Sequence, residues 1–166
     1  MIQKVKGLTI IELMVVIAIL AILAGVVAPN FINWRTKTAL RGAANNLKGD
    51  LELAKARAIR ENDHVAILFY ANDHYEIFVD NGEGMGGIPD NWIRDGDEAL
   101  LRDREMPGGV TIDVADTSFG TLGAKTRFNG RGHCTPGHTV VQNVDGRKIE
   151  VKVNRLGLIT VEGQES

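Results

Sequence analysis

The sequence predicts an α+β fold in which one long N-terminal helix packs on an antiparallel, β-rich domain. Residues 8–28 place 18 apolar residues in 21 positions, whereas the 138 residues after them contain 52. Apolar residues then recur at helical spacing as far as Ala58, and beyond residue 62 the pattern changes to period two. A polar domain behind one apolar segment excludes a multi-span membrane protein, a disordered tail protein and a plain cytosolic enzyme.

The first element is the apolar segment, residues 8–28. It is long enough to cross a bilayer as a helix, because about 20 residues at about 1.5 Å each span the hydrocarbon core. Lys4 and Lys6 are the only charges before it. The positive-inside rule therefore predicts a cytoplasmic N-terminus and an exported domain beyond the segment.

Gly7 stands between the basic leader and the apolar segment. A conventional secretory signal has its small-residue cleavage site after the apolar stretch, which is then lost. A cut after Gly7 would instead remove residues 1–7 and retain the whole anchor. The alternative is a signal-peptidase site formed by Ala24-Gly25 and Ala28.

Glu12 is an acid inside the apolar segment. A charged side chain costs about 2.5–3.5 kcal/mol at mid-bilayer and less near an end, so such an acid suggests a function and a partner. The candidate partner is the α-amino group that a cut after Gly7 would create on Leu8, and between staggered subunits this pair would set the register of assembly. The alternative is an acid that snorkels to the membrane interface.

Residues Lys6 to Ala18, KGLTIIELMVVIA, resemble the class III signal of type IV pilins and type II secretion pseudopilins. The shared features are a basic leader, Gly7 before the cut and Glu12 at the fifth mature position. The resemblance implies cleavage after Gly7 by a prepilin peptidase, N-methylation of Leu8, and incorporation into a filament through the anchor helix. The first mature residue of the family is most often Phe, and this chain has Leu8.

The second element is an amphipathic continuation of the helix, residues 29–61. Pro29 predicts a kink rather than an end. The helix is expected from about Leu8 to Arg60 and stops at Glu61-Asn62-Asp63. Its apolar seam consists of Leu40, Ala44, Leu47, Leu51, Ala54 and Ala58.

Residues 62–166 form the predicted β-rich domain. Short runs of alternating residues predict the strands, and Asp145-Gly146 predicts a two-residue turn between two of them. The predicted strands are His64 to Tyr70, His74 to Asp80, Val110 to Ala115, Ala124 to Asn129, His138 to Val144, Arg147 to Asn154 and Leu156 to Glu162.

A long Gly- and Asp-rich loop lies between the second and third of these strands, at residues 81–97. Its acidic residues could ligate Ca²⁺, although their spacing does not match an EF-hand and solvated turns are the simpler interpretation. Trp92 is a candidate partner contact. The candidate calcium ligands are Asp80, Glu83, Asp90, Asp95 and Asp97.

The segment from Phe128 to Gly132, FNGRG, and the later NRLGLITV from Asn154 resemble the H-type minor pseudopilins of type II secretion and the related FimT-like minor pilins. Gly130 and Gly132 are expected to supply turns between strands. After a class III signal, this resemblance favours the H/FimT branch over the major pilins.

The sequence predicts no catalytic apparatus, no cofactor site and no small-molecule substrate. Cys134, the only cysteine, excludes an internal disulfide. His133, Cys134 and His138 could hold a soft metal, but they lack a clear fourth ligand, so an unpaired thiol in a loop is the preferred interpretation. The chain has no HExxH, GxSxG, P-loop or CxxCH motif.

Two functions remain open. The first is a minor pseudopilin of type II secretion in the bacterial inner membrane, with a periplasmic domain, whose partners are other major and minor pseudopilins, prepilin peptidase and an inner-membrane assembly platform. The second is a FimT-like minor pilin that acts in pilus assembly or DNA uptake. The net charge of −2 argues against nucleic acid as a partner. Glu150 interrupts the basic cluster, which consists of Arg147, Lys148, Lys152 and Arg155.

Overall fold

The structure is a computed structural model that describes residues 9–71 and 73–163, and for residues 26–30 the backbone alone. The chain forms two compact units, one ending at Arg35 and the other beginning at Thr36. The predicted cut between Gly7 and Leu8 lies outside the described residues.

The long helix α1 spans Ile10–Glu61 and includes the backbone of Pro29, so the predicted long helix is confirmed. It ends where Asn62 takes a left-handed conformation, with φ of 52°. Each of the six residues of the predicted apolar seam is at most 3% exposed. The seam holds this half of the helix against the domain because it buries continuous apolar surface along one side.

Within the residues that the structure describes, eight strands follow the helix and form two antiparallel sheets, as the α+β prediction requires. Sheet 1 has the order β3-β2-β1-β5 and sheet 2 the order β4-β6-β7-β8. A short 3₁₀ helix, Gly120–Leu122, separates β4 from β5. The strands are β1 Val65–Tyr70, β2 His74–Val79, β3 Leu100–Glu105, β4 Val110–Ser118, β5 Lys125–Phe128, β6 Gly137–Asn143, β7 Lys148–Val153 and β8 Ile159–Gly163.

The turn between β6 and β7 differs from the predicted two-residue turn. The Asn143 N–H donates to the Arg147 carbonyl at 3.0 Å, so three residues, 144–146, lie between the last paired positions. Gly146 has φ of 77°, which is the left-handed position that a three-residue hairpin loop needs. The Asn143 side-chain oxygen accepts the N–H groups of Asp145 and Arg147 and holds the wider loop.

Strand β3 was not predicted from the sequence. It pairs with β2 at the edge of sheet 1, and its six residues, LLRDRE, are exposed or half-buried without alternation. Because neither face of an edge strand needs to be apolar throughout, period two gives no signal here.

One apolar core joins the amphipathic half of α1 to both sheets. Tyr75, Phe119 and Phe128 are fully buried within it. The rings of Phe69 and Phe119 stack with 5.8 Å between their centroids, which brings the segment after β4 onto β1.

Candidate functional site

The first unit presents an apolar helix surface. Between Ile10 and Leu23 every large apolar side chain is 45–82% exposed. A contiguous surface of this kind marks contact with another protein or with lipid. The exposed residues are Ile10, Ile11, Leu13, Met14, Val15, Val16, Ile17, Ile19, Leu20, Ile22 and Leu23.

The predicted span, residues 8–28, includes Leu8 and the side chains of residues 26–28, which lie outside the described part of the chain. Within the described part, no helix has a stretch both long and apolar enough to cross a membrane.

Glu12 lies in the first turn of α1 and is exposed. Its N–H donates to Thr9 Oγ1 at 3.3 Å, and the Leu13 N–H donates to the Thr9 carbonyl at 3.2 Å. Thr9 is therefore the N-cap, and Thr9-x-x-Glu12 has the sequence of a capping box. The sequence analysis missed this role of Thr9, although the T-x-x-E spacing was a readable signal for it. The carboxylate also lies near the positive end of the helix dipole.

The glycines of FNGRG do more than turn the chain. A Cβ on Gly130 would collide with Asn62 just after the helix. Gly132 has φ of 73°, and a Cβ there would lie 2.8 Å from Ile59 Cδ1. Beside these glycines, the Lys55 ammonium links the helix to the segment before β8 by donating to the Gly157 carbonyl at 2.9 Å. The motif thus fits the loop after β5 closely against the C-terminal end of α1.

Asp50 is a buried acid on the helix face that packs on the domain, at 6% exposure. It accepts hydrogen bonds from the Tyr75 hydroxyl at 2.7 Å and from Arg102 Nε at 3.1 Å. It also forms an ion pair with Arg104, whose Nε lies 3.0 Å from Oδ2. Burial, followed by the hydrogen bond to Asp50, raises the pKa of Tyr75 far above its usual value. Asp50 therefore ties α1 to β2 and to the edge strand β3.

The acidic loop after β2 is held by its own carboxylates. Asp80 is fully buried and accepts the N–H groups of Asn91 and Trp92 at 3.2 Å each. Desolvation raises its pKa despite these two hydrogen bonds. Asp90 accepts from Arg127 at 2.7 Å and lies 2.7 Å from His64 Nδ1, which ties the loop to sheet 1.

The other candidate calcium ligands are also placed within this loop. Asp95 accepts the Ile88 N–H at 3.1 Å and the Asn91 side-chain amide at 2.7 Å. The Asp97 N–H donates to the Glu83 carbonyl at 2.8 Å. Since the carboxylates of Asp80, Asp90 and Asp95 already accept hydrogen bonds within the protein, a calcium ion would have to displace these bonds. The calcium site stays a prediction.

Trp92, the candidate partner contact, is half-buried and lies beneath two cations. Lys125 Nζ is 4.9 Å and the Arg127 guanidinium carbon 4.8 Å from its ring centroid. Such contacts contribute about 0.5–1 kcal/mol each at exposed sites. They fix the indole ring against β5.

Cys134 is a buried thiol whose Sγ donates to the Asn154 carbonyl at 3.2 Å. Desolvation raises its pKa to about 11. His138 lies on β6 and faces Glu150, with 3.5 Å between Nδ1 and Oε1. Among the described residues, the only three such side chains placed closely enough to hold one metal ion are His74, Glu76 and Asp103. This group contains none of the predicted ligands His133, Cys134 and His138.

The two lysines of the basic cluster are paired with acids. Lys148 lies 2.8 Å from Asp113 and 3.2 Å from Asp116. The Lys148 ammonium is the main cause that lowers the pKa of Asp113. Lys152 lies 3.3 Å from Glu150 and 2.6 Å from Glu162. The exposed face of β7 therefore carries charges of both signs.

Comparison with known protein families gives two matches. The family model described as Type II transport protein GspH matches residues 43–157, and the prokaryotic N-terminal methylation motif matches residues 2–28. A curated relative, the type IV major pilin protein PilA of Myxococcus xanthus, is 46% identical over 43 residues, which are 26% of this chain and 20% of that protein. The chain thus spans about a fifth of the length of that relative.

Solved structures share the fold. The minor pseudopilin EpsH from the Type 2 Secretion System of Vibrio cholerae superposes with a TM-score of 0.58 at 12% identity, over 75% of this chain and 96% of EpsH. The type IV minor pilin FimU of Pseudomonas aeruginosa superposes with a TM-score of 0.51 at 17% identity, over 74% of this chain and 92% of FimU. At these identities, the likeness concerns the fold alone.

Proposed function

This chain belongs to the GspH family of type II transport proteins, and on that premise we propose that it is a minor pseudopilin of a type II secretion system. The family consists of structural, pilin-like subunits. The methylation motif at the start of this chain implies a pilin-type, membrane-anchored N-terminus. In the proposal, the anchor crosses the inner membrane once, with the N-terminus in the cytoplasm and the domain in the periplasm. The role is assembly, without catalysis.

The observation that carries the proposal is the exposed apolar surface of Ile10 to Leu23 with one acid at its start. In the membrane, lipid covers this surface. In a filament, the same surface of neighbouring subunits covers it, because apolar helices bury one another as well as lipid does. The anchor thereby becomes the polymerisation surface, and other pseudopilins are the partners.

Processing prepares the partner of Glu12 in this proposal. Prepilin peptidase cuts after Gly7 and leaves an α-amino group on Leu8, which is then N-methylated and remains cationic. The carboxylate of Glu12 on one subunit pairs with this amine on the next, and the inner-membrane assembly platform adds subunits in that register. An unpaired carboxylate among apolar helices is costly, so a subunit out of register is disfavoured.

Site-directed cross-linking between subunits in intact cells tests the pairing. Glu12→Ala should leave membrane insertion and cleavage intact while incorporation into the filament is lost. Thr9→Ala is the matched control, because it removes the helix cap, at about 1 kcal/mol, and leaves the carboxylate in place. Normal cross-linking of Glu12→Ala would overturn the pairing. If both variants lost cross-linking to the same extent, Glu12 would act only by capping the helix, which would also overturn the pairing.

The paired lysines of β7 support secretion over DNA uptake. A DNA-binding surface needs cations that are free to neutralise phosphates. Lys148 and Lys152 each contact two carboxylates instead. A DNA phosphate would therefore have to compete with these carboxylates for the two lysines. The same carboxylates would also repel the negatively charged DNA backbone.

A gel-shift titration with duplex DNA separates the two functions. The full chain in a mild detergent should show no shift at physiological salt. Micromolar binding that weakens steeply as salt rises would favour the FimT-like alternative, because phosphate contacts release counterions. In that case Lys148→Ala and Lys152→Ala would show whether β7 is the surface used.

A further inference from the structure

We propose that His74, Glu76 and Asp103 form a binding site for a divalent transition-metal ion such as Zn²⁺ on the outer face of sheet 1. None of these residues belongs to the assembly helix or to the acidic loop. The site would be an addition to the proposed role in filament assembly and does not depend on it.

The three side chains come from two neighbouring strands. His74 and Glu76 are two residues apart on β2, and Glu76 is the register partner of Asp103 on β3. Tyr75 between them is fully buried in the core, so His74 and Glu76 point to the opposite, solvent face. The sheet therefore sets the relative positions of all three.

The distances fit a small ion. His74 Nε2 lies 3.4 Å from Asp103 Oδ1 and 3.8 Å from Glu76 Oε1, and the ligand atoms all lie within 4.8 Å of one another. Ligands at about 2.0–2.2 Å from a tetrahedral zinc ion are about 3.3–3.6 Å apart. Small side-chain rotations suffice to close the remaining gap.

The ligand set favours a transition metal over calcium. Imidazole nitrogen with two carboxylates suits Zn²⁺ and its neighbours, whereas Ca²⁺ takes oxygen ligands alone. Two carboxylates with a neutral imidazole balance the charge of a divalent ion. Asp103 is about half exposed, at 52%, so a further coordination position opens to solvent or to a group on another protein.

The positions of the acids would also make a bound cation stabilising. Glu76 and Asp103 lie directly opposite each other on paired strands, and Glu105 lies opposite His74. Like charges in opposite positions destabilise an antiparallel pair. A bound divalent ion converts this repulsion into a bridge that holds the edge strand β3 to β2.

Tyr70 supports the ligands from outside the set. Its hydroxyl donates to Glu76 Oε2 at 3.0 Å, which leaves Oε1 as the atom nearer to His74. Its ring stacks on the His74 ring with 4.4 Å between centroids and 18° between planes. Groups that orient metal ligands in this way raise the affinity for the metal.

The test is a Zn²⁺ titration by isothermal calorimetry on the full chain in detergent, purified without a polyhistidine tag. One ion should bind per chain and raise the melting temperature. His74→Ala and Asp103→Asn should each abolish saturable binding, and Tyr70→Phe should weaken it by about tenfold or more. Excess Ca²⁺ should not compete with Zn²⁺.

His138→Ala is the matched control, because His138 also lies on a strand and faces one carboxylate, Glu150. It should bind Zn²⁺ like the unaltered chain, and circular dichroism should show all variants folded. The proposal is overturned if the unaltered chain shows no saturable binding. Binding that survives in His74→Ala, or that is lost in His138→Ala or His133→Ala, places any site elsewhere and also overturns it.

Discussion

Replacing Asp50 with alanine removes a carboxylate that three side chains contact, and we expect it to destabilise the domain by about 1–5 kcal/mol. The Tyr75 hydroxyl is the main reason. It is fully buried, and Asp50 Oδ2 accepts its hydrogen bond at 2.7 Å. A buried donor left without an acceptor costs about 1–3 kcal/mol.

The two arginines add less to this cost. The side chains of Arg102 and Arg104 are 44% and 41% exposed, so water can solvate them when the carboxylate is lost. Each therefore contributes about 0–1 kcal/mol, as partly exposed ion pairs do. Their loss should instead loosen β3, which depends on Asp50 for its link to the helix.

Urea unfolding of the full chain in a non-denaturing detergent, followed by far-ultraviolet circular dichroism, measures the change. Glu52→Ala is the control on the exposed side of the same helix and should change stability by less than about 0.5 kcal/mol. Tyr75→Phe alone should cost about 1 kcal/mol. In the double variant Asp50→Ala/Tyr75→Phe no hydroxyl is left unpaired, so the two costs should not add. Strict additivity, or a cost below about 1 kcal/mol for Asp50→Ala, would refute this reasoning.

Two further predictions concern the closure of the domain. Gly132→Ala should destabilise it by about 1–3 kcal/mol in the same unfolding assay, because the residue has a positive φ and a Cβ would collide with Ile59; a loss below about 0.5 kcal/mol would contradict the close fit. Cys134 should react slowly with an alkylating reagent at neutral pH in the folded protein and quickly in urea. Since its pKa is raised from 9.0 to about 11 on folding, the unfolded thiol ionises first, and the contribution of this group to stability should fall as pH rises from about 9 to about 11. The variant Cys134→Ser should lose that part of the pH dependence, and an unchanged profile would contradict the assignment.

Regular patterns made most of the fold predictable. The seam from Leu40 to Ala58 repeats at helical spacing, and β7 alternates residue by residue, so each reports which side faces the core. Strands β1 and β2 also fall where the sequence predicted strands, at His64 to Tyr70 and His74 to Asp80. The β6–β7 turn was predicted one residue too short, because Asp-Gly fits both a two-residue turn and a longer loop with glycine in the left-handed position.

The features that the sequence analysis missed depend on contacts between distant residues. Strand β3 is tied by Arg102 and Arg104 to Asp50, which lies on the helix about fifty residues earlier. Asp50 does not break the helical spacing of the apolar seam. A single acid beside such a seam has the sequence pattern of the solvated face, so its burial could not be predicted. The grouping of His74 and Glu76 with Asp103 likewise depends on strand pairing, which sequence spacing does not reveal.

The family could be predicted from the sequence more fully than the site geometry could. Gly7, Leu8 and Glu12 form a local motif, so their spacing alone carried the resemblance to the pilin family that the methylation-motif match supports. The close approach of Gly130 and Gly132 to the helix end was not visible in the same way. Both look like ordinary turn glycines until the helix is placed beside them.

The contacts that close the domain should also slow its folding. Lys55 donates to backbone oxygens of Leu156 and Gly157, and Thr36 donates to Asp145, so residues of the helix meet residues more than a hundred positions later. Many contacts of such high sequence separation slow folding, because the entropy of closing a long loop is lost before the contact is gained. A chain cut short before residue 156 would lack both of these acceptors of Lys55 as well as strand β8. The C-terminal part of the helix seam would then be less covered, and the truncated chain should be cleaved by proteases faster than the full chain.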